Sequence, residues 1–107
     1  MNISEEFNSL ILRRKSQEGD IDYDNDPVIR DTIQLMTSDI TATIHFLDAD
    51  CTEEQFIWFS EIFDEVAEIS KSPEFVDALR RAASRFPDAV EKYNINYFIE
   101  SAAEYVD

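Results

Sequence analysis

Across 107 residues the chain carries one glycine and three prolines. A sheet assembled from short hairpins draws on glycine, or on asparagine and aspartate beside it, at nearly every tight turn. A chain this poor in glycine and proline is therefore predicted to be helical, with short connections. The expected architecture is all-α: one domain over residues 1–107, with six or seven short helices forming antiparallel helical hairpins packed as a bundle or a small helical stack. Hydrophobic residues at 44% are enough to fill one modest core.

The apolar spacing places the helices. A first runs from Ser4, its N-cap, to Gln17, with Glu5 and Glu6 in the opening turn and Ile3, Phe7, Leu10 and Ile11 on one face. Arg13, Arg14 and Lys15 complement the negative end of its dipole, and Gly19 stops it. Asp26 caps a second helix with Pro27 at its first position, and Ile29, Ile33, Met36 and Ile40 form its stripe. A break at the polar residues 37–39 would let Ser38 cap a third helix reaching Leu47. Thr52 and Gln55 form a capping box for a fourth that extends to Ile69. Ser72 and Pro73 start a fifth, which ends before Pro87, buries Phe75, Leu79, Ala82, Ala83 and Phe86, and pairs Asp77 with Arg81 on its outer face. A turn over residues 88–93 leads to a last helix from Ile95, with Ile99, Ala102 and Val106 inward.

Nine basic against twenty-four acidic side chains give a net charge of −15. Such a surface repels phosphate backbones and anionic lipid, so neither nucleic acid nor membrane is an expected partner and a basic protein is. No apolar run approaches the ~20 residues of a membrane-spanning helix, and MNISEEFNSL has neither the basic start nor the apolar stretch of a signal peptide, so a cytoplasmic location is expected. The one cysteine, Cys51, forms no internal disulfide.

The acids are unevenly placed. EGDIDYDNDP, residues 18–27, sets Asp20, Asp22, Asp24 and Asp26 at every second position. Laid on a helix–loop–helix calcium site these are positions 1, 3, 5 and 7, with Asp31 at 12. The match is a near miss: Asn25 stands where glycine is needed, Asp31 is a methylene short for bidentate reach, and Pro27 lacks an N–H. Helix capping by Asp26 and Pro27 is the simpler account. Four aspartates exceed what a cap requires, however, which leaves Asp22, Tyr23 and Asp24 as candidates for docking a partner.

Between Arg30 and Lys71, forty residues hold ten acids and no lysine or arginine. On a wheel of 100° per residue the fourth helix gathers Phe56, Phe59, Ile62, Phe63 and Val66 on one side, and Glu54, Glu61, Asp64, Glu65 and Glu68 on the other. Its like-charge neighbours three and four residues apart cost roughly 0.2–0.5 kcal/mol each, with no lysine on the helix to offset them. Ile57 falls among the acids and Trp58 on their border. Two explanations stand: the helix is wedged between neighbours and buries more than half its circumference, or the two residues are apolar anchors of an interface ringed by carboxylates.

HFLDADC, residues 45–51, collects the one histidine, the one cysteine and two aspartates, but the spacing fits no zinc pattern and reads more simply as a turn between helices. Cys51 and His45 have no glycine-rich turn to supply an oxyanion hole. Catalysis, a metal and a cofactor are accordingly not expected.

EGDIDYDNDPVI together with FIWFSEIFDEVAEISKSPEFVDALRR resembles short bacterial proteins associated with polymorphic toxin and contact-dependent growth inhibition systems, in which such a chain is the immunity protein of a neighbouring toxin. The likeness spans residues 8–87 and rests on the run of acids, the aromatic helix and the Ser-Pro helix start. It implies a partner class, a cognate toxin domain, and no residue roles. Toxins of this kind are often nucleases with basic clefts, which an acidic surface can occupy. On this reading Glu54, Ile57, Trp58, Glu61, Asp64, Glu65 and Glu68 form the main contact, and Asp22, Tyr23 and Asp24 a second. A calcium-responsive module, a nucleic-acid mimic and an acidic adaptor are the competing functions, and the oligomeric state stays open.

Overall fold

In the computed structural model, which describes residues 3–15 and 27–106, all regular structure among those residues is helical. Eight helices follow one another: α1 (Ile3–Lys15), α2 (Pro27–Ser38), α3 (Ile40–Ala49), α4 (Glu53–Ser60), α5 (Phe63–Ser70), α6 (Pro73–Arg85), α7 (Pro87–Tyr93) and α8 (Ile95–Ala103). The acidic ladder of residues 20–26, the Asp26 cap, Tyr23 and the expected stop at Gly19 lie outside the described residues. No described helix is long and apolar enough to cross a membrane.

Several starts and stops follow from local chemistry. Pro27 opens α2. Thr52 and Gln55 close a reciprocal capping box at α4: Thr52 Oγ1 accepts from the Gln55 amide at 3.2 Å and Gln55 Oε1 from the Thr52 amide at 2.9 Å. Ser72 Oγ accepts from the Phe75 amide at 3.2 Å, with Pro73 at the first position of α6.

Other expectations need correction. Ser4 lies inside α1 rather than capping it, and its hydroxyl instead accepts a hydrogen bond from Gln55 Nε2 at 3.1 Å. The joint between α2 and α3 is capped by Asp39, whose Oδ1 accepts from the Ala42 amide at 3.2 Å, while Ser38 ends α2 with its hydroxyl on the Leu35 carbonyl. Buried Thr43 seals the joint by donating to the Met36 carbonyl at 2.7 Å.

The single helix expected from Thr52 to Ile69 is two. Ser60 Oγ donates to the Ile57 carbonyl at 2.6 Å, and the Ile62 amide bonds three residues back to Phe59 at 2.9 Å, so the regular ladder stops. The break has a packing consequence. Phe59 before it and Ile62, Phe63 and Val66 after it are all at most 3% exposed and enter the same core. Residues 88–93, expected as a turn, belong to α7: Pro87 starts it, Asp88 sits in its first turn, and Asn94 at φ 54° ends it in the left-handed conformation asparagine tolerates. These two differences raise the count to eight among the described residues.

The core is one contiguous cluster dominated by phenylalanine. Phe7 meets Phe46 and Phe59 edge to face at 6.0 and 5.9 Å, and Phe59 meets Phe63 at 5.3 Å. The most extensive packing is between α3 and α6 and between α5 and α8, pairs separated by two intervening helices, rather than only between consecutive hairpin arms. Arg81 forms no ion pair with Asp77; it reaches across to α3 and grips both Asp48 carboxylate oxygens at 2.9 and 3.0 Å. Arg85 beside it donates to the Leu47 and Asp48 carbonyls at 2.6 Å each, satisfying the last turn of α3.

Candidate functional site

The acids and apolar anchors of the expected surface fall on three pieces of backbone. Glu54, Ile57 and Trp58 belong to α4, Glu61 to the turn that ends it, and Asp64, Glu65 and Glu68 to α5. Asp22, Tyr23 and Asp24 lie outside the described residues. Because the helix breaks between Ser60 and Phe63, the two halves have different surroundings.

The α4 half is neutralised from within. Arg14 lies 3.1 Å from Glu61 and sets its guanidinium 5.6 Å from the centre of the Trp58 ring, a charge-assisted contact on one side and a cation–π contact on the other. Arg14 is 12% exposed, so this contact is largely enclosed. Lys15 reaches Glu54 at 2.6 Å, with both side chains about half in solvent, and Arg13 meets Asp31 of α2 at 3.4 Å. Three consecutive cations thus end on three acids of other elements. Burial pushes the Glu61 carboxyl above its ordinary value, against the opposing effect of Arg14. A cleft of about 20 Å³, room for about one water, lies beside Arg14, Trp58 and Glu61.

Ile57 and Trp58 are half-buried and pack against the core, as the wedged-helix explanation expects. α4 is indeed wedged between neighbours, since Gln55, Phe56, Phe59 and Ser60 are buried on it as well. One face of the Trp58 ring is taken by Arg14.

The α5 half is different. Among the described residues no cation pairs with Asp64, Glu65 or Glu68. Asp64 accepts from the Ser101 hydroxyl of α8 at 3.0 Å through Oδ2, while its Oδ1 is buried without a hydrogen-bond partner; Glu65 Oε2 is in the same position. Burial raises the Glu65 carboxyl above its ordinary value, opposed by a bond to its own backbone amide and reinforced by the charges of Asp64 and Glu68. Ile69, 60% exposed, lies one helical turn beyond Glu65 and next to Glu68. The apolar side chain most open to solvent among these carboxylates is therefore Ile69 rather than Trp58.

Sequence reasoning missed Ile69, and it assigned Arg13, Arg14 and Lys15 to their own helix dipole. Their run at a helix end was visible; their partners, eighteen to forty-seven residues away in the chain, were not. It also missed that Gln55, 1% exposed, donates to the Ser4 carbonyl and hydroxyl and to Asn8 Oδ1 at 3.0–3.3 Å, tying α4 to α1.

The residues of HFLDADC do not converge. Asp48 is taken by Arg81, whose hydrogen bond holds its carboxyl below the ordinary value, and His45 is exposed. Cys51 is buried, donates to the Thr52 carbonyl, and its thiol is pushed up to about 12 by burial, so at neutral pH the proton stays on sulfur. Among the described residues no group of three or more histidine, cysteine or acidic side chains is placed to hold a metal ion.

Comparison of the chain with protein families, with curated proteins and with solved structures gives no match.

Proposed function

We propose that this chain is an immunity protein of the polymorphic-toxin and contact-dependent growth inhibition kind, acting in the bacterial cytoplasm, which binds a cognate toxin domain and neutralises it through an acidic helical surface. The observation that carries the reading is the carboxylate group of α5. Asp64 and Glu68 are four residues apart, Glu65 and Glu68 three, no cation offsets them among the described residues, and two of their oxygens are buried without partners. Each of these features weakens the fold. A surface kept at the expense of stability fits a role in binding, and its charge sets the partner's sign.

A basic nuclease domain is the complementary partner. Its cleft is built to receive phosphate, and carboxylates around Ile69 can fill such a cleft with the apolar residue as anchor. The net charge of −15 would steer encounter toward ~10⁸–10⁹ M⁻¹s⁻¹ at low salt. Fast capture is what protection against an incoming toxin requires.

The experiment is co-expression in a sensitive cell with the C-terminal domain of the protein encoded beside this chain. Survival with the wild-type chain and death with a folded Glu65→Lys/Glu68→Lys variant is the expected pattern. Equal survival with both would remove α5 from the contact, and death with both would remove the immunity reading.

A further inference from the structure

The three ion pairs made by the end of α1 are not equivalent. Arg14 is enclosed between Glu61 and Trp58, at 12% exposure, and cannot leave without opening that contact. Lys15 and Glu54 are 47% and 60% exposed, and among the described residues neither side chain makes a second ion pair or hydrogen bond. Exposed pairs of this kind are weak and exchange with competing ions. Glu54 stands one helical turn before Trp58 on α4, so the acid released by such an exchange lies beside the one tryptophan of the chain.

We infer that Lys15 is a built-in competitor for Glu54: it occupies that carboxylate in the free protein and yields it to an arginine or lysine side chain of a basic protein partner, while Arg14 remains in place. The inference rests on the cationic-partner reading above and adds a regulation to it. A cation that touches only Glu54 must displace Lys15 and gains little. A partner that also engages α5 has Glu54 as an added contact once Lys15 moves aside. Lys15 thus lowers the gain from contacting the α4 half alone, while no cation among the described residues competes for the α5 half.

The test uses a tetra-arginine peptide as probe and the fluorescence of Trp58 as the local reporter. Lys15→Gln and Lys92→Gln each bring the net charge to −16, but only the first uncovers Glu54; Lys92 sits on α7 over the Tyr93 ring. Lys15→Gln is expected to tighten the Trp58-reported binding by about two- to fivefold over both the wild type and Lys92→Gln, the range an exposed pair supports. Adding Glu54→Gln to Lys15→Gln should return it to the wild-type value. Equal binding by the two single variants, or a gain that survives Glu54→Gln, overturns the inference. The peptide measurement needs no toxin, so it can fail while co-expression protection succeeds, and the reverse.

Discussion

Arg14 and Glu61, forty-seven positions apart, are held at 3.1 Å at the junction of α1 with the α4–α5 turn, and the same guanidinium covers Trp58. The pair joins the basic end of α1 to the forty residues that hold no lysine or arginine. Truncation by Arg14→Ala removes both contacts and leaves Glu61, already disfavoured as an anion by burial, without that guanidinium. We expect a loss of about 1–2 kcal/mol in urea denaturation, below the range for fully buried pairs because Glu61 is 38% exposed. Glu61→Gln should cost less, since it removes the charge that burial opposes.

Glu65 makes a pH-dependent prediction. Its carboxyl value is raised in the folded state, so the fold takes up its proton more readily than the unfolded chain does. The ionised form therefore costs stability at neutral pH, and stability is regained as pH falls through the raised value toward the ordinary one near 4.5. Glu65→Gln should be more stable than the wild type by about 0.5–1 kcal/mol at pH 7, the size of two relieved like-charge contacts, with the gap closing in that acidic window. Thermal melts of both proteins from pH 7 to pH 4 check this; a gap that stays constant with pH would contradict it.

Gln55 is the buried polar residue with the most to lose. Its amide oxygen caps the start of α4 and its amide nitrogen meets Ser4 and Asn8 of α1. Gln55→Ala leaves the Thr52 amide and Asn8 Oδ1 without this partner and should cost about 2–3 kcal/mol in chemical denaturation. Exchange protection should fall first at the amides of α1.

The contrast between α4 and α6 shows how much was legible in advance. The starts at Thr52 and Ser72 depend on residues within three positions of each other, and the sequence pattern predicts both. The break after Ser60 does not announce itself, because a serine hydroxyl can point to solvent or back to a carbonyl, and the local pattern does not choose between the two. Pro87 could have signalled the start of α7 as Pro27 and Pro73 signal α2 and α6. The acidic character of the candidate surface was legible and its division was not: Glu54 and Glu61 meet cations of α1 only because α1 packs on α4, a long-range fact no local spacing contains.

Arg85 joins α6 to α3 through the Leu47 and Asp48 carbonyls, and Arg81 beside it holds Asp48 as a carboxylate below its ordinary value. Arg85→Ala should cost about 1 kcal/mol by uncapping α3. The Asp48 contribution has the opposite pH sign to that of Glu65: it is complete above the ordinary aspartate value of 3.8 and is lost as pH falls through the lowered one. Asp48→Asn should therefore match the wild type most closely at the acid end of a pH series, and a difference that grows toward low pH would contradict the assignment.

On the proposed function, the carboxylates of α5 steer a cationic toxin domain onto this chain. Stopped-flow association with the C-terminal domain of the protein encoded beside it, the proposed toxin, measured from low to physiological salt, tests this most directly. Glu65→Lys/Glu68→Lys is expected to slow association at low salt by about tenfold or more and to flatten its dependence on ionic strength, with the helical fold retained. An association rate and salt slope equal to those of the wild type would contradict it.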